Sequence, residues 1–421
     1  MTQKIEEQLQ FAREFAKNQQ LAESESTYRS ILQTPAQHNS IIIATQETAL
    51  YELGKLYQEH KKVDQLADLI RTSRAVLGSF AKSKTAKIIR NLIDLFANVP
   101  NSTDIQITII KDCIEWAVSE KRNFLRQGLQ TRLISLYYEK CAYNDAIQLI
   151  NTLLKELKRL DDKNVLIEVQ LLETKVYHAL RNIPKAKASL TSARTSANAI
   201  YTPPLMQASL DLMSGILQSE DKDYKTGYSY FYESFEGFAG QEDARALTVL
   251  KYLLLSKIML NLSDDIDSLL TNKTVQKYAG RDIDAMKAIA SAYSNRSLKE
   301  FETALETYGK ELSSDPFIRS HFSDLYDTLL EQNLVKVIEP FSCVEISHIA
   351  EIIGLDTRQV EGKLSQMILD KVFHGVLDQG NGWLFVYDEP KIDATYGAAL
   401  ETIKHMSNVV DLLYQKASAL N

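Results

Sequence analysis

The chain contains few cysteines, glycines and prolines, and each scarcity argues against a class of structure. Three cysteines in 421 residues (Cys113, Cys141 and Cys343) are too few for a disulfide framework, and none lies in a C-x-x-C pair typical of zinc or redox motifs. We therefore expect buried thiols in a reducing compartment. Fifteen glycines and eight prolines leave long uninterrupted elements, which favours helices over a β-rich fold.

Signals for export, membrane insertion and catalysis are also missing. The first twenty residues are charged throughout and hold no apolar signal segment, and no run approaches the roughly 18 apolar residues of a membrane span. The seven histidines form no i, i+4 pair and no HExxH motif, and neither a phosphate-binding loop nor a G-x-S-x-G motif is present. We expect a soluble intracellular protein that is not an enzyme and uses no cofactor or metal.

The charge pattern argues against nucleic acid as the partner. The net charge is −7, with acids and bases mixed along the chain, so no positive field of the kind that binds phosphate backbones is built. One stretch of twenty residues, 71–90, carries no acid. Its bases form either a solvated helix face or a docking patch for an acidic protein surface: Arg71, Arg74, Lys82, Lys84, Lys87 and Arg90.

Internal repeats occupy the first three hundred residues. In three units an aromatic residue near the end of one helix is followed nine positions later by a small residue in the next, as in Tyr137 with Ala146 and Tyr177 with Ala186. The corresponding second-helix positions are 24, 66, 146, 186 and 227, separated by 42, 80, 40 and 41 residues. The gap of 80 accommodates one degenerate unit, with helices around Ile88–Phe96 and Ile105–Ala117.

These offsets are those of tetratricopeptide helical pairs, but the period is longer than the usual ~34 residues. A helical hairpin has one apolar face that only a neighbouring hairpin can bury, so stacked hairpins share one core. We predict an all-α chain in which a right-handed, TPR-like α-solenoid spans residues 1–305.

Residues after Ser313 predict a different module. Asp315-Pro316 begins a helix that ends near Glu339-Pro340. The spacing beyond it is that of a helix-turn-helix followed by a β-hairpin, in the order helix Val344–Ile353, turn Gly354-Leu355, helix from Thr357 to Ile368, strand Phe373–Leu377 and strand Trp383–Tyr387. Two helices and a hairpin make a winged helix, which we place at 341–388.

This winged helix has the wrong charge for a duplex. Residues 341–388 hold seven acids and three bases, a net charge of −4. Protein contact is the better prediction for this module.

The last thirty residues carry a heptad seam. Its members are spaced alternately four and three residues apart: Ala399, Ile403, Met406, Val410, Leu413, Ala417 and Leu420. Removing such a stripe from water is worth on the order of 10 kcal/mol gross, at about 1.5 kcal/mol per side chain. The helix therefore either packs back on its own chain or joins a bundle with helices of other chains.

Six stretches carry a resemblance to a known family: 113–127, 169–204, 277–281, 325–355, 363–390 and 395–417. They resemble PCI-domain proteins, the family shared by the proteasome lid, the COP9 signalosome and a translation-initiation factor. Within the family the resemblance is to a scaffold subunit of the proteasome lid. It covers nearly the whole chain and is weakest over the first ~110 residues.

The resemblance implies three domains: the solenoid at 1–305, a PCI domain at 306–390 that includes the winged helix, and a bundle helix at 391–421. It implies that PCI modules of several lid subunits pair side by side, with an edge here at Phe373, Gly375, Leu377, Trp383 and Phe385. It also implies that the C-terminal helices gather in one bundle and that the solenoid reaches the α-ring of the 20S core and the ATPase ring. The resemblance also implies that the protein is found in the cytoplasm and the nucleus.

Two positions depart from the family pattern. Gly362 lies inside the second helix of the winged helix, and Cys343 stands where a basic side chain is usual. Two alternatives remain open: a PCI scaffold subunit of the COP9 signalosome, and a PCI-type nucleic-acid adaptor.

Overall fold

The computed structural model describes residues 2–17, 21–33, 40–77, 82–99, 102–262, 264–313, 315–388 and 394–418. Helices dominate, and the only sheet in this part of the chain has three short strands. The predicted all-α class with a small sheet and a terminal helix is therefore confirmed. No described helix combines the length and apolar character needed to cross a membrane. The chain divides into two compact units, 1–250 and 251–421.

The first unit is a succession of helices joined by short turns. In chain order it contains α1 (Thr2–Lys17), α2 (Leu21–Gln33), α3 (Ser40–Glu59), α4 (Val63–Leu77), α5 (Lys82–Asp94), a 3-10 helix (Leu95–Asn98), α6 (Thr103–Ser119), α7 (Asn123–Glu139), α8 (Tyr143–Leu160), α9 (Lys163–Ala179), α10 (Ile183–Asn198), α11 (Pro204–Glu220), α12 (Tyr224–Ala239) and the start of α13 (Arg245–Met259). Most consecutive helices pack as hairpins, and α7 also packs against α9, and α9 against α11.

The repeat pattern in the sequence corresponds to the hairpin contacts. All five second-helix positions are buried: Ser24, Leu66, Ala146, Ala186 and Gly227. The closest approach is between α11 and α12, where a Cβ on Gly215 would lie 2.6 Å from the Phe231 ring and one on Gly227 would lie 2.9 Å from Ser219 Oγ. Small residues at these positions let the paired helices approach, and the apolar side chains around them form the core.

Most turns between these helices place a residue other than glycine in the left-handed region. In the α9–α10 turn Arg181 has φ 59°, and the next amide, Asn182 N–H, donates to the Tyr177 carbonyl at 2.9 Å. The α7–α8 turn repeats this geometry, with Cys141 at φ 60° and Ala142 N–H donating to Tyr137. This is the helix-ending pattern in which glycine is favoured, because other residues are strained there.

The second unit continues from α13 with α14 (Asp264–Leu270), α15 (Lys273–Gln276), α16 (Arg281–Ser294), α17 (Leu298–Ser313), α18 (Pro316–Ile338), β1 (Cys343–Glu345), α19 (Ile346–Ile353), α20 (Thr357–Leu369), β2 (His374–Asp378), β3 (Trp383–Tyr387) and α21 (Ala394–Ser418). Within this unit, Lys251 in the middle of α13 pairs with Asp282 at 2.9 Å and with Asp315 at 3.7 Å. Asp315 thereby links the start of α18 to α13.

The winged helix is present, with one more strand than predicted. The strand order is β1-β3-β2, and both pairings are antiparallel, with Val344 opposite Leu384 and Leu377 opposite Leu384 on its other side. The prediction of a helix from Val344 was wrong at its start, because Cys343–Glu345 pairs with β3 before α19 begins. The predicted strand Phe373–Leu377 is observed as His374–Asp378, one residue later.

Replacing Gly362 by alanine should stabilise the winged helix. Gly362 lies in the middle of α20, is exposed, and an added Cβ would meet no atom within 4 Å. Alanine in a helix interior is about 1 kcal/mol more favourable than glycine. We expect Gly362→Ala to slow amide hydrogen exchange in α20 about fivefold, measured by mass spectrometry on the full chain.

Gly375→Ala is the matched control for this prediction. An added Cβ there would lie 2.7 Å from the Phe385 carbonyl oxygen, so it should speed exchange in β2 and β3. If both substitutions changed the rate of hydrogen exchange in the same direction, the open environment assigned to Gly362 and the crowded one assigned to Gly375 would be wrong.

Arg181→Gly should raise the free energy of unfolding of the first unit by about 0.5–1 kcal/mol. Glycine relieves the left-handed strain at the α9–α10 turn, and the gain is partly offset by the greater entropy of the unfolded chain. Urea unfolding followed by circular dichroism measures the change. Lys155→Gly, at an exposed interior position of α8, is the control and should lower stability by about 1 kcal/mol. Destabilisation by both variants would contradict the strained-turn interpretation.

Candidate functional site

The C-terminal helix α21 exposes its entire surface. It spans 25 residues, and every described side chain from Thr395 to Ser418 is exposed. At 1.5 Å per residue its length is about 37 Å. Of the two alternatives left by the sequence, packing back on its own chain is not what the structure holds.

The heptad seam accounts for much of the exposed apolar surface. Ile403, Met406, Val410 and Leu413 are each 61–64% exposed, and Ala399 and Ala417 are exposed at the two ends. Leu420, the last predicted member, lies outside the described residues. On an ideal helix these positions form one stripe along the axis, as predicted.

Further apolar residues extend and widen the seam. Tyr396 continues the heptad spacing one step before Ala399, whereas Leu400 and Tyr414 lie beside the seam, where heptad spacing does not point. Tyr396, Leu400 and Tyr414 are 73%, 60% and 76% exposed, and at 100° per residue they fall within about 60° of Ile403. Counting apolar residues by angle instead of by heptad position would have found them. The result is a broad apolar face on a helix that no described part of the chain covers.

The wing sheet contains the second group of predicted contact residues, but they lie on opposite faces. Side chains alternate along a strand, so Gly375 and Leu377 face the same side as the buried Leu384, whereas Trp383 and Phe385 face the other side. Phe373 immediately precedes β2 and is partly buried. The five residues therefore do not form a single surface.

The outer face of the wing is an apolar patch. Val376 and Tyr387 on this face are 54% and 57% exposed, and Trp383 is 42% exposed with its ring edge-on to Phe385 at 6.3 Å. Val376 and Tyr387 were not among the predicted contact residues. The pairing register that places Val376 opposite Phe385 brings them together.

Strand β2 lies at the open edge of this sheet. Val386 N–H donates to Ser342, so the even-numbered residues of β3 pair with β1 and its odd-numbered residues with β2. In this register Gly375 and Leu377 direct their backbone N–H and C=O groups away from β3. An open edge of this kind can accept another strand.

The basic stretch is divided between two helices. On α4, Arg71 donates to Asp112 at 3.1 Å, and Arg74 donates to the Cys113 sulfur at 3.3 Å and is only partly exposed. Both side chains are therefore engaged in contacts within the unit. Arg71 is ion-paired and Arg74 is partly buried, so both are less available to a partner than a fully exposed, unpaired base.

The bases of α5 are more accessible. Lys84, Lys87 and Arg90 are exposed at intervals of three residues, while the side chain of Lys82 lies outside the described part. Lys87 borders a cavity of about 340 Å³ that Glu47 and Glu52 of α3 also line. Arg90 covers Gly128 of α7, where an added Cβ would lie 2.8 Å from its guanidinium. These three residues, the α5 bases, are what remains of the predicted patch.

The expectation of three buried thiols was wrong for two of them. Cys113 is fully buried, but Cys141 and Cys343 are exposed. Burial raises the pKa of the Cys113 thiol, an effect that the nearby Arg74 guanidinium partly offsets. Cys141 occupies a strained turn and Cys343 an edge strand, positions that composition alone does not reveal.

The described residues contain no cluster of three or more His, Cys, Asp or Glu side chains able to hold a metal ion. The surfaces that remain as candidates for contact with a partner are the α21 seam, the wing and the α5 bases.

Fold and surfaces together define a helical scaffold with a winged-helix module and an uncovered terminal helix. Family models match at residues 5–140 (26S proteasome regulatory subunit RPN6 N-terminal domain), 305–388 (PCI domain) and 393–418 (26S proteasome subunit RPN6 C-terminal helix domain). The chain belongs to the family of 26S proteasome regulatory subunit RPN6, also called non-ATPase regulatory subunit 11.

Relatives match along almost the full length of the chain. The probable 26S proteasome regulatory subunit rpn6 of Schizosaccharomyces pombe is 58% identical over 98% of both chains. The RPN6 subunit of Saccharomyces cerevisiae is 54% identical over 98% of both chains, and the subunit 11 homolog of Arabidopsis thaliana is 52% identical over 90% of both.

Maleimide labelling checks the positions of the three thiols. In the folded chain we expect Cys141 and Cys343 to react within minutes and Cys113 only after denaturation, because a buried thiol of raised pKa supplies little thiolate. The double variant Cys141→Ser, Cys343→Ser isolates Cys113. Rapid labelling of that variant under native conditions would contradict the burial of Cys113.

Proposed function

We propose that this chain is a non-catalytic scaffold subunit in the lid of the 26S proteasome regulatory particle. The observation that carries the proposal is the complete exposure of α21. A lone helix with a broad apolar face is stabilised by packing against other helices. The names of the relatives supply the complex in which those helices would be found.

In this proposal the seam of α21 enters a bundle with the C-terminal helices of other PCI subunits of the lid. Covering its apolar side chains would contribute on the order of 10 kcal/mol gross, at about 1.5 kcal/mol per side chain. That gain offsets much of the cost of lost translational freedom and side-chain ordering, and the wing contact would add to it. The flanking Tyr396, Leu400 and Tyr414 would contact the same bundle.

The wing would pair with the PCI module of a neighbouring subunit. The open edge at Gly375 and Leu377 offers backbone hydrogen bonds to an added strand, and the outer face at Trp383 and Phe385 offers apolar area. Phe373, at the start of β2, would border this contact.

The first unit would connect the lid to the rest of the proteasome. The α5 bases Lys84, Lys87 and Arg90 suit an acidic surface on the α-ring of the 20S core, and the ATPase ring is the other expected partner. The chain would then support ubiquitin-dependent degradation by clamping regulatory and core particles together, in cytoplasm and nucleus.

The alternatives have less support. The relatives reported above are proteasome subunits, which disfavours the COP9 signalosome. A nucleic-acid adaptor is disfavoured by the charge of −4 over residues 341–388.

Polar substitutions in the seam should block incorporation into the lid. We expect Ile403→Ser with Val410→Ser to reduce co-purification with lid subunits at least tenfold, because two central apolar contacts are lost. Affinity purification with quantitative mass spectrometry measures this. The control, Lys404→Ser with Gln415→Ser, changes residues away from the seam on the same helix. Normal incorporation of the seam variant would refute the bundle role.

Charge reversal tests the α5 bases. Lys84→Glu with Lys87→Glu should weaken the association of regulatory and core particles severalfold, and more strongly at low salt, since screening reduces the wild-type attraction. Native gel electrophoresis across a salt series gives the ratio of joined to free particles. Lys111→Glu with Lys155→Glu, at exposed sites on α6 and α8, is the control. An unchanged ratio at every salt concentration would remove the α5 bases from the contact.

A further inference from the structure

Large apolar side chains stand exposed at three successive turns of the first unit. The chain alternates direction from helix to helix, so the α6–α7, α8–α9 and α10–α11 turns lie along the same edge. We call the following residues the apolar edge: Val118 (54% exposed), Phe124 (77%), Leu160 (59%), Tyr201 (86%) and Leu205 (37%).

These residues recur with the repeat. Leu160 follows Val118 by 42 residues and Tyr201 follows Leu160 by 41, which is the period of the hairpins. The opposite edge, formed by the α7–α8, α9–α10 and α11–α12 turns, carries one large exposed apolar side chain, Leu180, among those described. Exposed apolar residues scattered singly need no explanation, but a row at one per repeat forms a continuous surface.

The spacing of the residues along the apolar edge suits a bound helix. Neighbouring packed helices lie 8–10 Å apart, so α7, α9 and α11 set the turns at intervals of about 10 Å. Seven residues of an α-helix advance about 10.5 Å, so apolar residues one heptad apart would meet successive turns. A strand is less suited, because turn amides such as Arg122 N–H already donate within the turn, here to Ala117 at 2.9 Å.

The charges beside the row favour an acidic partner. At these turns, four bases have no ion-pair partner within the described residues. Only two acids there, Asp161 and Asp162, are likewise unpaired, so the unpaired charge is positive. The bases are Lys121, Lys158, Arg159 and Lys163. Glu120, the remaining acid, lies 4.0 Å from Arg122.

We propose that the apolar edge binds one amphipathic helix of a neighbouring subunit, with apolar residues at heptad spacing and acidic residues on its flanks. The proposal rests on the chain being assembled in the regulatory particle, and it adds a contact separate from the α21 seam, the wing and the α5 bases. The bound helix runs across the repeats, along the edge.

Photo-cross-linking in the assembled particle tests the proposal. Benzoylphenylalanine replaces Phe124 in one variant and Tyr201 in another, two exposed positions where an aromatic ring is already present. Both variants should cross-link to the same polypeptide, at sites about 14 residues apart within one acidic, heptad-patterned segment, since two repeats span about 20 Å. The matched control positions are Cys141 and Lys222, at turns on the opposite edge, which should give no cross-link to that segment.

A second variant set measures the contact without a cross-linker. Phe124→Ser with Tyr201→Ser should reduce protection of the partner segment from hydrogen exchange at least tenfold, and Lys158→Glu with Arg159→Glu several-fold. Cross-links from positions 124 and 201 to different polypeptides, to a segment without acidic heptads, or to nothing in the assembled particle would overturn the proposal. Absence of the unsubstituted chain from the particle, scored first by co-purification, would instead contradict the proposed function.

Discussion

The structure depends on one constraint: an amphipathic helix needs another apolar surface against its own. In the first unit each helix meets this need from its neighbours, and small residues such as Ala146, Ala186 and Gly227 set how closely the pairs approach. Helix α21 has the same kind of apolar face, and no described part of its own chain covers it. The need that neighbouring helices meet in the first unit is therefore unmet at α21, and this is why we propose α21 as an assembly element.

The same contrast appears within the winged helix. Leu384 on the central strand is fully buried, whereas Val376, Trp383 and Tyr387 on the opposite face are exposed. An antiparallel sheet can bury one face and leave the other to solvent, and here the solvent face is apolar. With a charge of −4 over 341–388, this fold, which in other proteins reads DNA, has surfaces suited to protein partners.

Backbone strain and side-chain contacts within the fold give different roles to arginines that look equivalent in the sequence. Arg181 closes a turn in the left-handed region, Arg74 is engaged by a buried sulfur, and Arg90 remains exposed over Gly128. The Arg181 side chain also pairs with Glu220 at 3.5 Å, whereas Arg90 is exposed without an ion-pair partner among the described residues. Counting bases over 71–90 therefore overstated the patch, because charge alone does not reveal which side chains are already used within the fold.

The sequence by itself determined the helices, the repeat period, the winged helix and the heptad seam, because each is a local pattern of apolar spacing that neighbouring residues fix. It did not determine the pairing of Cys343–Glu345 with β3, the two faces of the wing, the exposure of Cys141 and Cys343, or the apolar edge. Those depend on which distant segments meet, as Val344 meets Leu384 across forty residues. The tertiary structure alone decided which apolar and charged side chains are covered by the chain itself and which are left for partners.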